Sequence, residues 1–424
     1  MKKPRRSFLQ TALAGGVYGV SANLTIMRDL FAQTARQPVV IGHQCDITGG
    51  LSSWGYWMDK AAKAACDYVN QSGGIGGRPV RYVVEDTESS PPTGARKFRS
   101  LVERSRADFV IGATHSGVNL ASVPLAKELR TVYIPNGMAE EKTGPKGNRY
   151  VFQVGSDTYL QAAAGAEWSN RTLGNEWTFF FADFAWGWSH YNEHTALLKT
   201  LGAKVNDPIS FPLDAKDLLP YLARVSKTSK QLYPIAFGAQ AVAIYTQVKS
   251  MGLDKDMRIY SVICTHEAIS PKDLGSATEG IYLLEYFPRM LKYKDTPHTR
   301  RLRELMNIDP VEGREKGSNR VIAGSHHWAA WESVFFIQKA VEKSGWKSKA
   351  DNPAFIGALE GMSVEESFEH PQGAKRIRKE DHKAIIDSYI SRVENGEIHV
   401  KQRITTAEVE KLMPPRVDFT KETL

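Results

Sequence analysis

From residue 39 onward, short apolar runs alternate with longer stretches whose apolar residues recur every three to four positions. This is the pattern of parallel strands joined by helices. VVIG (39–42) reads as a strand, and the loop ITGGLSS leads into a stretch that sets Trp57, Ala61, Ala64, Ala65, Tyr68 and Val69 on one helical face. Gly73 and Gly74 stop that helix, and GGIGGRP supplies the turn into the extended run VRYVVED, which predicts a complete βαβ unit over 41–88. Helices over 93–103 and 118–129, with strands DFVIG and VYIPNG, extend it to four units of one parallel sheet. RYVFQVGSD then reads as a crossover to a second series: helix 159–173, strand TFFFAD, helix 191–201, strand KVNDPISF, helix 217–227, strand PIAFG, helix 242–251 and strand RIYSVI. GIYLLEYFPRM reads as a return crossover, followed by helices over 296–306 and 325–343. The chain exceeds one ordinary core, so two domains are expected.

The N-terminus departs from this pattern. Lys2, Lys3, Arg5 and Arg6 precede Ser7-Phe8-Leu9 and a mildly apolar Ala/Gly-rich stretch, which reads as an export signal with a twin-arginine motif, cleaved after Ala22, Ala32 or Ala35. It is too short and too Gly-rich to span a bilayer, and no later apolar run approaches that length, so the mature chain is expected to be periplasmic and not membrane-spanning. The net charge of +8 falls to +3 once residues 1–37, with six Lys/Arg and one Asp, are removed. The basic clusters at 300–303 and 375–379 are interleaved with acids and lack aromatic partners, so they read as solvated faces, and no nucleic-acid partner is expected. Cys45, Cys66 and Cys264 match no zinc spacing and read as small buried hydrophobes, with a Cys45–Cys66 disulfide left open.

A doubly wound sheet serves enzymes as readily as binding proteins. The chain carries no G-x-S-x-G elbow, no H-E-x-x-H, no Gly-Lys-Ser/Thr and no G-x-G-x-x-G between strand and helix, so no catalytic residue, metal or cofactor is expected. His326 and His327 are adjacent and so turn to different helix faces, while His190 and His194, at ligand spacing, read as surface histidines. Adjacent residues such as His115 and Ser116 seldom meet as base and nucleophile.

In open parallel sheets the loops after strand carboxyl ends hold ligands. Here they are ITGGLSSWG, GATHSG, PNGMAEE, DFAWGW, GAQAVA and CTHEA. DITGGLSSWG, AACDYVNQSGGIGGRPV and VVEDTESSP, in that order, resemble the opening of the type I periplasmic solute-binding proteins, the leucine/isoleucine/valine-binding group, and the likeness runs over about 39–400. The resemblance implies an α/β fold of two doubly wound parallel-sheet lobes joined by a three-segment hinge, 38–154 with 290–365 and 155–289 with 366–424. The C-terminal EHPQGAKRIRKEDHKAIIDSYISRV would be its closing hairpin. It further implies a monomeric substrate-binding component of an ABC importer that presents a small-molecule ligand to a membrane permease and its ATPase.

Carried over residue by residue, the ligand site comprises Trp54 as an aromatic wall, His115 and Ser116 where a helix start meets a ligand carboxylate, Gly137, Ala139, Asp157, Trp186, Gln240, His266 and Glu267. The family's ammonium-holding threonine falls on or near Ala139 and its carboxylate on His266 or Glu267. The ligand therefore stands open between a branched-chain or hydrophobic amino acid, held with Glu140 or Glu267, and an apolar or aromatic carboxylate. An exported sensor without transport is the alternative role. The places of the family's first-lobe disulfide read Glu88-Ser89-Ser90 and Thr114-His115-Ser116, so no such staple is implied.

Overall fold

The computed structural model describes residues 37–424 except Ala268; the twin-arginine segment lies outside the described residues. The first sheet contains β1 (Val39–Cys45), β2 (Val80–Asp86), β3 (Phe109–Gly112) and β4 (Val132–Ile134) in the order β2-β1-β3-β4, all parallel. β1 is buried at every position, as a central strand covered by helices on both faces must be. The helix Ser52–Gln71 makes the first crossover and packs against the helix His327–Ser344, where Trp331 and Phe335 close on Tyr68 at 6.2 and 6.1 Å between ring centres.

The second sheet begins with β5 (Glu176–Ala182), whose run WTFFFA is wholly buried. The segment 204–211 forms two short strands, β6 (Lys204–Val205) and β7 (Ile209–Phe211), because Pro208 has no N–H for a ladder and Asn206 Nδ2 turns to Thr178 and Ser229 at 3.0 and 3.1 Å. β8 (Gln231–Ile235), β9 (Arg258–Val262) and β10 (Tyr282–Glu285) follow, so the start of the expected return crossover is a strand of this sheet. After the passage back to the first sheet, β11 (Ser363–Val364), β12 (Lys375–Ile377) and β13 (Ala384–Ile385) make a small antiparallel sheet. The hairpin β14 (Ser388–Glu394) and β15 (Glu397–Ile404) then closes the second sheet in the order β15-β14-β10-β9-β8-β5-β6, with β7 beside β5.

Three other expectations change. Of the helix expected over 217–227, only Leu219–Leu222 forms, since Ser226 and Thr228 close a local hydroxyl turn that competes with it. The helix expected from 191 starts at Ala185, its first turn lying so close to the end of β5 that a Cβ on Gly187 would meet the Ala182 carbonyl at 2.6 Å. The basic clusters are not simply solvated: Arg303, Lys375 and Arg378 are buried, and each reaches carbonyls or carboxylates. All three cysteines are buried and free.

Passages of the chain between the sheets run side by side, with Gln153 N and Ala384 N bonding His382 O and Gln153 O at 2.9 and 2.8 Å, and Gln372 Nε2 bonding both Tyr286 O and Asp387 O. Here Lys383 Nζ meets Asp157 at 2.7 Å and Glu140 at 3.3 Å, all buried. Lys142 is also wholly buried, with its ammonium on the Ala139 carbonyl, and burial lowers its pKa to about 7 despite Asp157. Between about pH 7 and the ordinary lysine value near 10.4, the unfolded chain therefore binds the proton that the folded chain has released. Lys142 thus disfavours folding fully below this window and progressively less across it. The expected result is that the stability of the unchanged protein minus that of Lys142→Met rises with pH over this window, read by urea unfolding at stepped pH. A flat difference would place the ammonium in a solvated environment.

Candidate functional site

Each sheet reverses its strand order at one point: between β1 and β3 in the first, and between β5 and β8 in the second. At such switch points adjacent loops part and leave a crevice beyond the strand carboxyl ends. The two crevices face each other across one cavity, lined by Leu51, Trp54, Thr114, Ser116, Met138, Phe184, Trp186, Phe237, Cys264 and His326. Phe237 stands edge-on to Trp54 at 6.1 Å and to Phe184 at 5.5 Å, and Phe184 stands edge-on to Trp186 at 5.8 Å, so rings from both sheets box the space.

The first-sheet wall is built around the start of the helix Ser116–Glu128. The Asp46 carboxylate, just past β1, accepts from Thr114 N and His115 N at 2.7 and 3.0 Å and from the Thr87 hydroxyl. Burial pushes this carboxyl up, and burial likewise lowers the His115 imidazole. His115 Nδ1 accepts from Val118 N at 3.3 Å and so caps the helix. Ser116 Oγ accepts from Ala139 N at 3.2 Å, which leaves its own proton free for an acceptor in the cavity beside the positive end of the helix. A Cβ on Gly137 would lie 2.1 Å from Asn119 Oδ1, so glycine here lets the loop after β4 lie against that helix.

On the opposite side Glu267 is fully buried and wholly committed to protein donors. Trp54 Nε1 bonds Oε2 at 2.6 Å, Ser325 Oγ bonds Oε2 at 2.5 Å, Ser325 N bonds Oε1, and His326 Nδ1 stands 3.6 Å away. Burial alone would raise this carboxyl, but His326 and Ser325 hold it below its ordinary value. Cys264, Glu267 and His326 bring metal-ligand atoms within 4.8 Å of one another. The carboxylate already accepts from three N–H and O–H donors, and burial pushes the Cys264 thiol well up, so the group forms a hydrogen-bonded wall.

The cavity thus gathers Trp54, Ser116 and Trp186 from the sequence-predicted set; the two tryptophans lie in first helical turns rather than in loops. His115, Ala139 and Glu267 stand behind lining residues as their supports, and Gly137 permits a close approach. Asp157 caps the helix Thr158–Leu173 through Leu160 N at 2.8 Å and pairs with Lys383. Gln240 bonds the carbonyls of Pro212 and Ala215, and His266 bonds Tyr245 while burial lowers its pKa to about 3. None of these three lines the cavity. His190 and His194 are fully buried against Tyr233 at 5.8 and 4.7 Å, contrary to the surface expectation, because their helix turns that face onto β5 and β8; burial keeps both neutral, His194 with a pKa lowered to about 4.

Sequence reasoning missed Asp46, Leu51, Thr114, Met138, Phe184, Phe237, Cys264, Ser325 and His326. Most of them lie in or beside the strand-end loops already singled out, and apolarity at those places was the usable signal. Ser116→Ala is expected to weaken carboxylate binding by about 1–3 kcal/mol and also to lower the melting temperature of the unliganded protein, because it leaves the buried Ala139 N–H without its acceptor. A loss of unliganded stability without loss of affinity would make the residue purely structural.

A family model for periplasmic binding proteins matches residues 38–397. The chain is 32% identical over 126 residues to the Leu/Ile/Val-binding protein homolog 1 of Brucella abortus, covering 29% of this chain and 31% of that one, so the match spans about a third of the relative's length. Over 330 residues it is 23% identical to the leucine-, isoleucine-, valine-, threonine-, and alanine-binding protein of Pseudomonas aeruginosa, covering 77% of this chain and 82% of the relative. In three dimensions it resembles a solute binding protein of an ABC transporter from Rhodopseudomonas palustris BisB5 in complex with 3,4-dihydroxy benzoic acid, with a TM-score of 0.74 at 18% identity over 87% of this chain and 98% of that one. With a family match across most of its length and two sheets whose switch points face one cavity, the chain belongs to the periplasmic binding protein family.

Proposed function

We propose that this protein is the substrate-binding component of an ABC importer and that it takes a small aromatic carboxylate between two closing lobes, 38–154 with 290–365 and 155–289 with 366–424. The observation that carries the reading is the lining: none of its residues is Lys, Arg, Asp or Glu, four are aromatic, and Glu267, behind the lining, already accepts from Trp54 and Ser325. An α-ammonium would have to share that carboxylate with the donors it already holds. A carboxylate needs only the helix start at Ser116 and the Trp186 indole N–H, which is buried without a protein partner among the described residues. Burying a ring of 150–250 Å² at about 25 cal/mol per Å² gives an upper bound near 4–6 kcal/mol. Each charge-assisted bond adds roughly 1.5–3 kcal/mol, so micromolar affinity at about −8 kcal/mol is within reach after the entropy of closure.

Branched-chain amino acids are the second reading, favoured by the names of the curated relatives. No described helix is long and apolar enough to cross a membrane. Thermal-shift screening of ring acids against leucine, valine and isoleucine separates the two, since ligand at about 100 times its dissociation constant adds roughly 2.7 kcal/mol of stability. Stabilisation by benzoates and not by leucine is expected; the reverse would make the protein an amino-acid carrier.

A further inference from the structure

The hydrogen-bond relay behind the cavity specifies what a ligand must offer. Glu267 meets the donors Trp54 Nε1, Ser325 N and Ser325 Oγ on its two oxygens, and as a carboxylate it can only accept. Ser325 Oγ, 2.5 Å from Glu267 Oε2, therefore commits its single proton to that carboxylate. The same oxygen also contacts His326 Nδ1, and having no second proton it accepts there, so Nδ1 carries the imidazole proton. In a neutral imidazole the other nitrogen is then a bare lone pair. His326 Nε2 is buried and has no protein partner among the described residues, and His326 lines the cavity. Trp186 Nε1, on the wall of the same cavity, is a buried donor in the same position. One apolar space thus presents two unmatched polar atoms of opposite sense.

We propose that His326 Nε2 accepts a hydrogen bond from the ligand, so that the site selects ring acids bearing a hydroxyl or amino donor apart from the carboxylate. Trp186 and Ser116 serve the acid end; His326 serves the donor. The inference rests on the ring-acid reading of the cavity and adds a requirement to it. A site that buries an acceptor discriminates strongly against an analogue lacking the matching donor, because the acceptor is then left unpaired. An analogue that brings a second acceptor fares no better.

Calorimetry on the mature chain at about pH 8, above the ordinary imidazole range, tests it with benzoate, meta- and para-hydroxybenzoate, para-aminobenzoate and para-methoxybenzoate. At least one hydroxyl or amino compound is expected to bind tenfold or more tighter than both benzoate and the methoxy compound, which can accept but not donate. In His326→Phe that ratio should fall to within threefold. Ser325→Ala, which removes the atom that fixes the tautomer, should narrow it as well. If His326→Phe does not fold, the methoxy comparison on the unchanged protein decides alone. Equal binding of hydroxy and methoxy compounds, or of hydroxybenzoates and benzoate, would overturn the acceptor role and leave the ring-acid reading standing. Failure of every benzoate to bind would overturn both.

Discussion

Lys375→Met is expected to destabilise the protein by about 3–5 kcal/mol, the cost of leaving one partner of a buried ion pair uncompensated. Lys375 Nζ lies 2.6 Å from Glu332 Oε2, with neither side chain exposed. The ammonium also sits 4.5 Å above the Trp328 ring, and the other Glu332 oxygen accepts from Gln372 N at 3.0 Å. The pair ties the long helix His327–Ser344 to β12, where the chain passes back toward the second sheet. Without the lysine, Glu332 keeps only Gln372 N and the more distant His370, 3.8 Å away. Replacing both partners, as in Glu332→Leu with Lys375→Met, should recover most of the loss, because two apolar groups of similar size leave no charge to desolvate. Burial alone would raise the Glu332 carboxyl, but Lys375 and His370 hold it below its ordinary value. A depressed carboxyl contributes stability above the unfolded value near 4 that is lost as the pH falls through the folded one. The difference between unchanged protein and Lys375→Met should therefore shrink in acid. Urea unfolding at neutral and acid pH reads both effects, and a loss below about 1 kcal/mol at neutral pH, as for an exposed pair, would show that water reaches it.

Trp186→Ala is expected to cost about 2 kcal/mol or more in affinity for a ring acid, roughly thirtyfold, in keeping with buried aromatic anchors at binding hot spots. The side chain is 7% exposed, borders the cavity and stacks edge-on with Phe184, so its removal loses ring contact and the unmatched indole donor together. Trp186→Phe separates the two losses by keeping a ring without the N–H. Trp54 is a different case: its indole N–H is bound to Glu267, so Trp54→Phe should disturb closure by taking one of three donors from a buried carboxylate even where ring contact survives. Isothermal titration of the three variants, with tryptophan fluorescence as a second readout, checks this. Neutral behaviour of Trp186→Ala together with abolished binding in Glu267→Gln would sink the aromatic-acid reading in favour of an amino acid.

Much of the frame was legible in the chain. The alternation of apolar runs with helical faces carries the two parallel series, since strands covered on both sides must be apolar throughout and helices covered on one side cannot be. The loops that line the cavity were legible for the same reason, since a sheet of this topology opens beyond its strand ends; Trp54, Ser116 and Trp186 within them were placed by the family resemblance. Turns with local chemistry of their own read less well. The segment over 204–211 breaks because a proline and an asparagine side chain act where the apolar period says strand.

By itself the sequence determined the strand and helix alternation, the family resemblance and the group of loops that carries the site. The tertiary structure alone decided which polar groups are committed and which are left over. Trp54 and Glu267 stand 213 positions apart, and nothing local announces that one saturates the other. His190 and His194 read as surface residues because a helix face has no sign of its own until a sheet is laid against it. Lys375 and Arg378 turned inward for the same reason, each where a carboxylate waits. Hydrogen-bond commitment is a property of pairs brought together by long-range packing, and in this cavity it leaves an indole donor and an imidazole acceptor to meet the ligand.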